Sequence, residues 1–158
     1  MVYNSNTSGY LNVALDGKTC RKAAREVIAT IRAHKVKFKY VAVRGMSGAL
    51  VGGVVAAALG KLMIIVRKGE SSHGNQLEIG GYESVEDGYI IIDDFISTGE
   101  TVIKIISTIG KGYPDLKCTG IFCYSRFYRP PKEADCFIYK EHQSSLTKDI
   151  LVYGTLPA

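Results

Sequence analysis

The chain has 158 residues, of which 46% are hydrophobic and 22% are charged. This composition is typical of a folded domain and excludes a disordered chain. The first residues form neither a basic nor an apolar segment, and the longest apolar run, residues 49–59, is interrupted by glycines and too short to cross a bilayer. We therefore expect a single domain over residues 1–158, located in the cytoplasm and without a membrane partner.

The net charge of +5 is compatible with a nucleic-acid partner or with a pocket for a phosphate-rich ligand. The basic residues are scattered except for a cluster at 32–39, which falls at a predicted helix end, where cations complement the helix dipole. This placement favours a solvated helix end over a nucleic-acid surface. The cysteines at 20, 118, 123 and 136 lack a Cys-x-x-Cys spacing, which predicts reduced thiols rather than a zinc site.

Short apolar runs alternate along the chain with segments of helical periodicity. The predicted strands are 40–43, 62–66, 89–92, 119–124 and 136–139, and the predicted helices are 19–33, 47–59 and 100–109. Residues 67–81 are polar and punctuated by glycine, which indicates a loop with a hairpin arm. Continuous apolar strands alternating with helices predict a doubly wound, mostly parallel sheet with helices on both faces. In such sheets ligands bind beyond the carboxyl ends of the strands.

The segment from Tyr89 to Val102 is the most informative part of the sequence. An apolar strand ends in Asp93 and Asp94, and a turn of small and hydroxyl residues follows before the next helix begins. The turn consists of Ser97, Thr98, Gly99, Glu100 and Thr101. Its backbone N–H groups and hydroxyls, together with the helix N-terminus, suit a phosphate monoester. The two carboxylates can accept hydrogen bonds from neighbouring sugar hydroxyls. The pattern therefore predicts a site for a ribose 5-phosphate.

A second turn of small residues follows the strand 40–43 and opens the next helix. It contains Arg44, Gly45, Ser47 and Gly48, so that a guanidinium, a hydroxyl and backbone amides can meet one anion. The Gly-x-x-x-x-Gly-Lys-Ser/Thr pattern is absent because Leu62 follows Gly60 and Lys61, which disfavours a P-loop nucleotidase.

The segment 89–102 closely resembles the signature of the type I phosphoribosyltransferases. The resemblance implies their fold, a parallel sheet with a small hood, and a homodimer. It also implies that Asp93 and Asp94 hold the ribose hydroxyls beside a developing sugar cation. The turn from Ser97 to Thr101 would bind the 5-phosphate, with only the backbone N–H of Glu100 taking part. Arg44, Gly45 and Ser47 would lie in a pyrophosphate loop. The family suggests a strained peptide at or beside Val43–Arg44, since such loops often carry a cis peptide bond.

The loop after strand 62–66 resembles the lid of orotate phosphoribosyltransferases. Arg67, Lys68, His73 and Gly74 match its frame, whereas Ser71 stands where that family places a catalytic lysine. The match implies that Arg67, Lys68 and His73 neutralise the leaving pyrophosphate.

A further resemblance concerns Arg126, which follows a predicted strand, where the orotate enzymes place an arginine facing the base. Arg126 would hold the base while Phe127 or Tyr128 stacks on it.

Together these resemblances imply transfer of ribose 5-phosphate from phosphoribosyl pyrophosphate to a nucleobase, orotate or another pyrimidine, with release of pyrophosphate. Mg²⁺ would be carried by the oxygens of the donor, near Asp93 and Asp94. An alternative is a non-catalytic sensor of phosphoribosyl pyrophosphate that binds nucleic acid, which Ser71 and the basic charge favour. A nucleoside-phosphate hydrolase is more remote, since no positioned nucleophile is evident.

Overall fold

The structure is a computed structural model that describes residues 11–69, 76–82, 84, 86–96, 99–124 and 150–154. Helices and strands alternate along most of this length, as the sequence predicts. In chain order the elements are α1 (Asn12–Leu15), α2 (Gly17–Ala33), β1 (Tyr40–Val43), α3 (Met46–Leu59), β2 (Leu62–Val66), β3 (Leu77–Ile79), β4 (Tyr89–Asp93), α4 (Glu100–Gly112), β5 (Cys118–Cys123) and β6 (Val152–Gly154).

The strands form one six-stranded sheet in the order β3-β2-β1-β4-β5-β6. All neighbouring pairs are parallel except β2 and β3, which form an antiparallel hairpin. The predicted mostly parallel α/β sheet is therefore confirmed. Of residues 67–81, expected to form a loop with a hairpin arm, Leu77–Ile79 form β3, which pairs with β2. The strand order reverses direction between β1 and β4, which is the kind of position where such sheets bind ligands.

Each face of the sheet packs against its own helices. On one face Val41, Ile90 and Phe122 pack with residues of α2 and α3, and on the other Ala42 and Ile91 pack with residues of α4. Every residue of β1 and β4 is buried. Their continuous apolar sequences follow from this double coverage, since a strand covered on both faces has no solvent side for polar residues.

Some elements and bounds differ from the sequence-based expectation. Helix α4 continues through Gly110 to Gly112, so the predicted end at Ile109 is wrong. The position of a Cβ on Gly110 meets open space, and this glycine keeps a helical φ instead of the left-handed φ of a helix terminus. Strand β6 was not predicted, and the expected strand 136–139 lies outside the described residues.

The described cysteines Cys20, Cys118 and Cys123 are free thiols, in line with the reduced state predicted for them. Within the part of the chain that the structure describes, none of the helices has the length and apolar character needed to span a membrane.

Candidate functional site

The carboxyl ends of β1 and β4 border a pocket of about 260 Å³. Because these strands are parallel neighbours, the residues that follow them come together although they are about fifty positions apart in the chain. The pocket is lined by Arg44, Ser47, Lys68, Asp93, Asp94, Phe95, Ile96, Gly99, Glu100, Thr101 and Val102. The structure thus brings together the segments that the sequence marked as two separate anion-binding turns.

Two helices begin at this pocket, and each has a glycine as its N-cap. Gly45 precedes α3 with φ +88°, and Gly99 precedes α4 with φ +79°, conformations that other residues rarely adopt. Neither cap makes a side-chain hydrogen bond to the first turn of its helix. The first backbone N–H groups of a helix have no partner within the helix, so both termini offer donors and positive dipole ends to an anion.

Gly45 also makes room for a basic side chain. A Cβ at this position would lie 2.9 Å from Cε and Nζ of Lys68, so the lysine passes directly over the turn. Arg44 lies at the same turn, and its Nε is buried without a hydrogen-bond partner among the described residues. A buried donor of this kind is costly unless something binds it, which is consistent with an anionic ligand.

Helix α3 lies close enough to the sheet for Ser47 to reach the end of β4. A Cβ on Gly48 would lie 2.6 Å from the carbonyl oxygen of Ile92, the residue before Asp93. Only glycine allows this approach. The hydroxyl of Ser47 lies 3.4 Å from Oδ1 of Asp93 and donates a long hydrogen bond to it.

The two carboxylates are buried, at 6% exposure for Asp93 and 7% for Asp94. The backbone N–H of Asp94 donates to Oδ1 of Asp93 at 3.0 Å, and that of Phe95 donates to Oδ1 of Asp94 at 2.9 Å. Burial, followed by the adjacent carboxyl of Asp94, raises the pKa of Asp93 to about 7. A pair of acids with this cost to folding is typical of a functional site.

Two aromatic residues of the site were not identified from the sequence as part of it. Phe95 lines the pocket and is 40% exposed, an unusual position for a phenylalanine. Tyr124 follows β5 and is buried, and its hydroxyl donates to the carbonyl oxygen of Ser47 at 2.9 Å. Burial is the main cause that raises the pKa of this phenol above its usual range. Tyr124 thus ties the start of α3 to the end of β5, a contact between segments distant in sequence.

The other predicted site residues lie in different places. Arg67 does not line the pocket, and its Nη2 pairs with Oε1 of Glu78 across the β2–β3 hairpin at 2.8 Å. His73, Ser97, Thr98, Arg126 and Phe127 lie outside the described residues, so their roles stay predictions. The cis peptide expected beside Val43 and Arg44 is wrong, because none of the described peptide bonds is cis. Gly45 makes this turn instead, through its positive φ.

The site's donors fit the Mg²⁺ that the sequence implies. Asp93 and Asp94 place carboxylate oxygens, the ligands that Mg²⁺ prefers, on the wall of the pocket. No group of three His, Cys, Asp or Glu side chains suited to a metal occurs among the residues that the structure describes.

Comparison with known proteins finds similarity to phosphoribosyltransferases. No family model matches the chain. It is 36% identical over 99 residues to orotate phosphoribosyltransferase from Thermoplasma acidophilum, covering 61% of this chain and 53% of the relative. It is 34% identical over 95 residues to the enzyme of the same name from Halalkalibacterium halodurans, covering 60% and 45%. The chain spans about half the length of the curated relatives it matches.

Solved structures show the same fold at lower identity. Orotate phosphoribosyltransferase from Mycobacterium tuberculosis in complex with phosphoribosyl pyrophosphate superimposes with a TM-score of 0.56 at 14% identity, covering 74% of this chain and 65% of that one. Adenine phosphoribosyltransferase from Saccharomyces cerevisiae gives 0.58 at 20% identity, covering 70% of each chain. The fold is that of the type I phosphoribosyltransferases, and the resemblance to the orotate enzymes is confirmed.

Proposed function

We propose that this protein is a phosphoribosyltransferase, which transfers ribose 5-phosphate from phosphoribosyl pyrophosphate to a ring nitrogen of a nucleobase and releases pyrophosphate. One observation carries the proposal: two glycine-capped helix N-termini and two buried carboxylates border a single pocket at the carboxyl edge of the sheet. The donor molecule carries phosphate groups on both sides of a ribose. In the proposal each helix N-terminus at this pocket binds one of these phosphate groups, and the two carboxylates accept hydrogen bonds from the ribose.

The 5-phosphate would bind at the start of α4. Gly99, the N-cap of α4, has no side chain that could occupy the helix N-terminus, and Thr101 adds a hydroxyl from the first turn. Ser97 and Thr98 complete this site in the proposal. Because the group bound is a dianion, each donor forms a charge-assisted hydrogen bond, about twice as strong as a neutral one.

Asp93 and Asp94 would accept hydrogen bonds from the ribose hydroxyls. As the bond to pyrophosphate breaks, the sugar ring gains positive charge, and carboxylates already held in position stabilise that charge without reorganising. This role requires Asp93 to be ionised. Hydrogen bonds donated by the ribose hydroxyls would favour this ionised form.

The pyrophosphate would leave toward the start of α3. The unpaired Nε of Arg44, the ammonium of Lys68 and the turn at Gly45 and Ser47 form the described part of this site. Arg67 and His73 join them in the proposal. Mg²⁺, when bound, would neutralise part of the charge on the leaving group, and Asp93 and Asp94 would be the residues that hold it.

The acceptor is proposed to be orotate or another pyrimidine, held by Arg126 with Phe127 stacked on its ring. Phe95 offers a further aromatic surface at the pocket wall. Among the described residues that line the pocket, Lys68 is the one histidine or lysine that could act as a general base. An acceptor that is already anionic at its reacting nitrogen needs no such base.

A non-catalytic sensor of phosphoribosyl pyrophosphate is the second candidate, and a specific residue favours it. Ser71 replaces the lysine that the orotate enzymes use in their lid, so this chain brings less charge to the leaving group. A sensor would need the sugar-phosphate site but no turnover. If it also binds nucleic acid, that affinity should fall steeply as salt is raised.

Pyrophosphate release from phosphoribosyl pyrophosphate, in the presence of Mg²⁺ and a panel of nucleobases, tests the enzyme directly. We expect release with a pyrimidine, a lower rate for His73→Ala and a higher rate for Ser71→Lys. Asp94→Asn serves as the inactive control. Binding of the donor without release for any base would favour the sensor, and absence of donor binding would contradict both candidates.

A further inference from the structure

The composition of helix α3 offers few directional contacts that could fix its position on the sheet. Residues 46–59 include no charged side chain and only one hydroxyl, that of Ser47. Its buried side consists of small and β-branched residues: Gly48, Val51, Gly52, Val55 and Ala56. Apolar contacts are non-directional, so they hold the helix against the sheet but fix its first turn less sharply than hydrogen bonds do. A hydrogen bond from another element to the start of α3 therefore matters for the geometry of the pocket.

Tyr124 supplies such a hydrogen bond from the end of β5. Its side chain is 2% exposed and belongs to the apolar cluster that α2 and α3 form with one face of the sheet. The hydroxyl donates to the carbonyl oxygen of Ser47 at 2.9 Å, and the backbone N–H donates to the carbonyl oxygen of Asp93 at 3.2 Å. One buried residue thus contacts both the first turn of α3 and the carboxyl end of β4.

Ser47 closes these contacts into a triangle. Its own hydroxyl donates to Oδ1 of Asp93 at 3.4 Å, so Ser47, Asp93 and Tyr124 are each hydrogen-bonded to the other two. The three residues belong to α3, to β4 and to the segment after β5. In a closed triangle no segment can move away from the others without lengthening two hydrogen bonds. The triangle therefore fixes the distance between the start of α3 and the carboxylate of Asp93.

Tyr124 lies behind the wall of the pocket. Ser47 and Asp93 line the pocket, whereas Tyr124 is not among the lining residues. Burial is the main cause that raises the pKa of its phenol above the usual range, so the hydroxyl keeps its proton and remains a donor. Any effect of this hydroxyl on a ligand must pass through Ser47 and the turn that precedes it.

We propose that Tyr124 is a positioning residue for the pyrophosphate half of the site. Its hydroxyl holds the first turn of α3, so that the turn at residues 44–47 and the carboxylate of Asp93 meet one ligand at a fixed separation. The start of α4 is not part of the triangle, so the 5-phosphate half does not depend on this hydroxyl. The inference rests on the proposed function, in which the start of α3 binds pyrophosphate and the start of α4 binds the 5-phosphate.

Tyr124→Phe tests this role, because it removes the hydroxyl and keeps the ring in the core. The carbonyl oxygen of Ser47 can still accept the intrahelical hydrogen bond of α3, so the variant should fold. Titration calorimetry would measure the affinity for pyrophosphate with Mg²⁺ and, separately, for ribose 5-phosphate. We expect pyrophosphate to bind roughly tenfold more weakly, since a small displacement of binding groups is costly. Ribose 5-phosphate should bind as it does to the unmodified chain.

Tyr40→Phe is the matched control. Tyr40 opens β1, is fully buried, and donates its hydroxyl to the carbonyl oxygen of Ser84 at 3.0 Å, away from the residues that line the pocket. Both variants lose a tyrosine hydroxyl that is bound to a backbone carbonyl, so both should lower the urea midpoint to a similar extent. Only Tyr124→Phe should change the ratio of the two affinities, which a merely stabilising hydrogen bond would leave unchanged.

The possible outcomes separate this inference from the proposed function. If the unmodified chain binds both ligands and Tyr124→Phe weakens neither, or weakens both equally, the positioning role is overturned and the proposed function stands. A selective loss of pyrophosphate affinity in Tyr40→Phe as well would also overturn the positioning role, because the loss would then follow from reduced stability. If the unmodified chain binds neither ligand, the proposed function fails and the inference fails with it.

Discussion

Helix α2 and the two helices at the pocket begin in opposite ways. The side chain of Asp16 caps α2 and accepts hydrogen bonds from the backbone N–H groups of Lys18 at 3.1 Å and Thr19 at 2.9 Å. Helices α3 and α4 instead begin at Gly45 and Gly99, which have no side chain to offer. A side-chain cap stabilises the fold, whereas a glycine N-cap leaves a helix N-terminus at a pocket accessible to a ligand.

The aspartate at the start of α2 and the aspartate at the pocket also differ, in the pKa of their side chains. The backbone N–H of Thr19 is the main cause that lowers the pKa of Asp16, which is exposed and fully solvated. Burial raises the pKa of Asp93 to about 7, although it too accepts a backbone N–H. The charged form of Asp16 therefore stabilises the fold, whereas the charged form of Asp93 destabilises it. Asp93, at the pocket, is thus the aspartate that lowers the stability of the folded protein.

Gly48→Ala should have the largest effect on stability, because it moves the start of α3 at the pocket. The new Cβ would lie 2.6 Å from the backbone carbonyl oxygen of Ile92, so α3 must shift away from β4. Overpacking of this kind lowers the free energy of unfolding by about 2–3 kcal/mol. Urea unfolding of Gly48→Ala and of Gly110→Ala measures the difference, since a Cβ on Gly110 meets open space. Equal stability of the two variants would show that α3 does not need its close approach.

Thr101→Ala should weaken binding of phosphoribosyl pyrophosphate without a comparable loss of stability. The hydroxyl belongs to the first turn of α4 at the pocket, and removing a donor to a charged group costs about 1.5–3 kcal/mol of binding free energy. Titration calorimetry would compare it with Ser107→Ala, whose hydroxyl donates to the carbonyl oxygen of Lys104 farther along the same helix. If both variants bind like the unmodified chain, the start of α4 is not the phosphate site.

Asp93→Asn should stabilise the protein at pH 8. The folded-state pKa of Asp93, about 7, lies above the ordinary value of 3.8, so the folded state binds its proton more tightly than the unfolded state. Asp93 therefore lowers the free energy of unfolding progressively between about pH 4 and pH 7, and fully above that range. Asparagine removes this penalty and should add roughly 2 kcal/mol at pH 8.

Urea unfolding at two pH values checks the sign of this effect. The gain from Asp93→Asn should be smaller at pH 5, where Asp93 of the unmodified chain is mostly protonated when folded. A gain that is the same at pH 5 and pH 8, or a loss at pH 8, would mean that Asp93 is not destabilised by its burial.

Asp16→Ala should have the smallest effect and the opposite sign. It removes the cap of α2 and should lower the Tm by about 3 °C at neutral pH. The loss should diminish as the pH falls through the lowered pKa of Asp16, because the protonated carboxyl is a weaker acceptor. Binding of phosphoribosyl pyrophosphate should not change, and a calorimetric titration that showed a loss would contradict the separation between the capped and uncapped helices.

Much of the fold could be predicted from local pattern. The bounds of β1 and β2 agree with the sequence-based prediction because each strand is an unbroken apolar run limited by polar or glycine residues. The two turns at 44–48 and 97–101 were recognised because small and hydroxyl residues follow an apolar strand at both places. Strand β6 was missed, since three residues are too few to show a period.

The sequence alone determined the alternation of the central strands and helices, the two turns, and the two acidic residues that precede the second turn. The tertiary structure decided that these turns share one pocket, that Lys68 crosses Gly45, and that Tyr124 holds Ser47. It also decided that Asp93 is buried deeply enough for its pKa to rise, and that one side of the apolar helix α3 stays exposed. Local pattern records which residues avoid water and which favour a turn. Distances between segments depend instead on strand order, on register and on how closely α3 can approach β4.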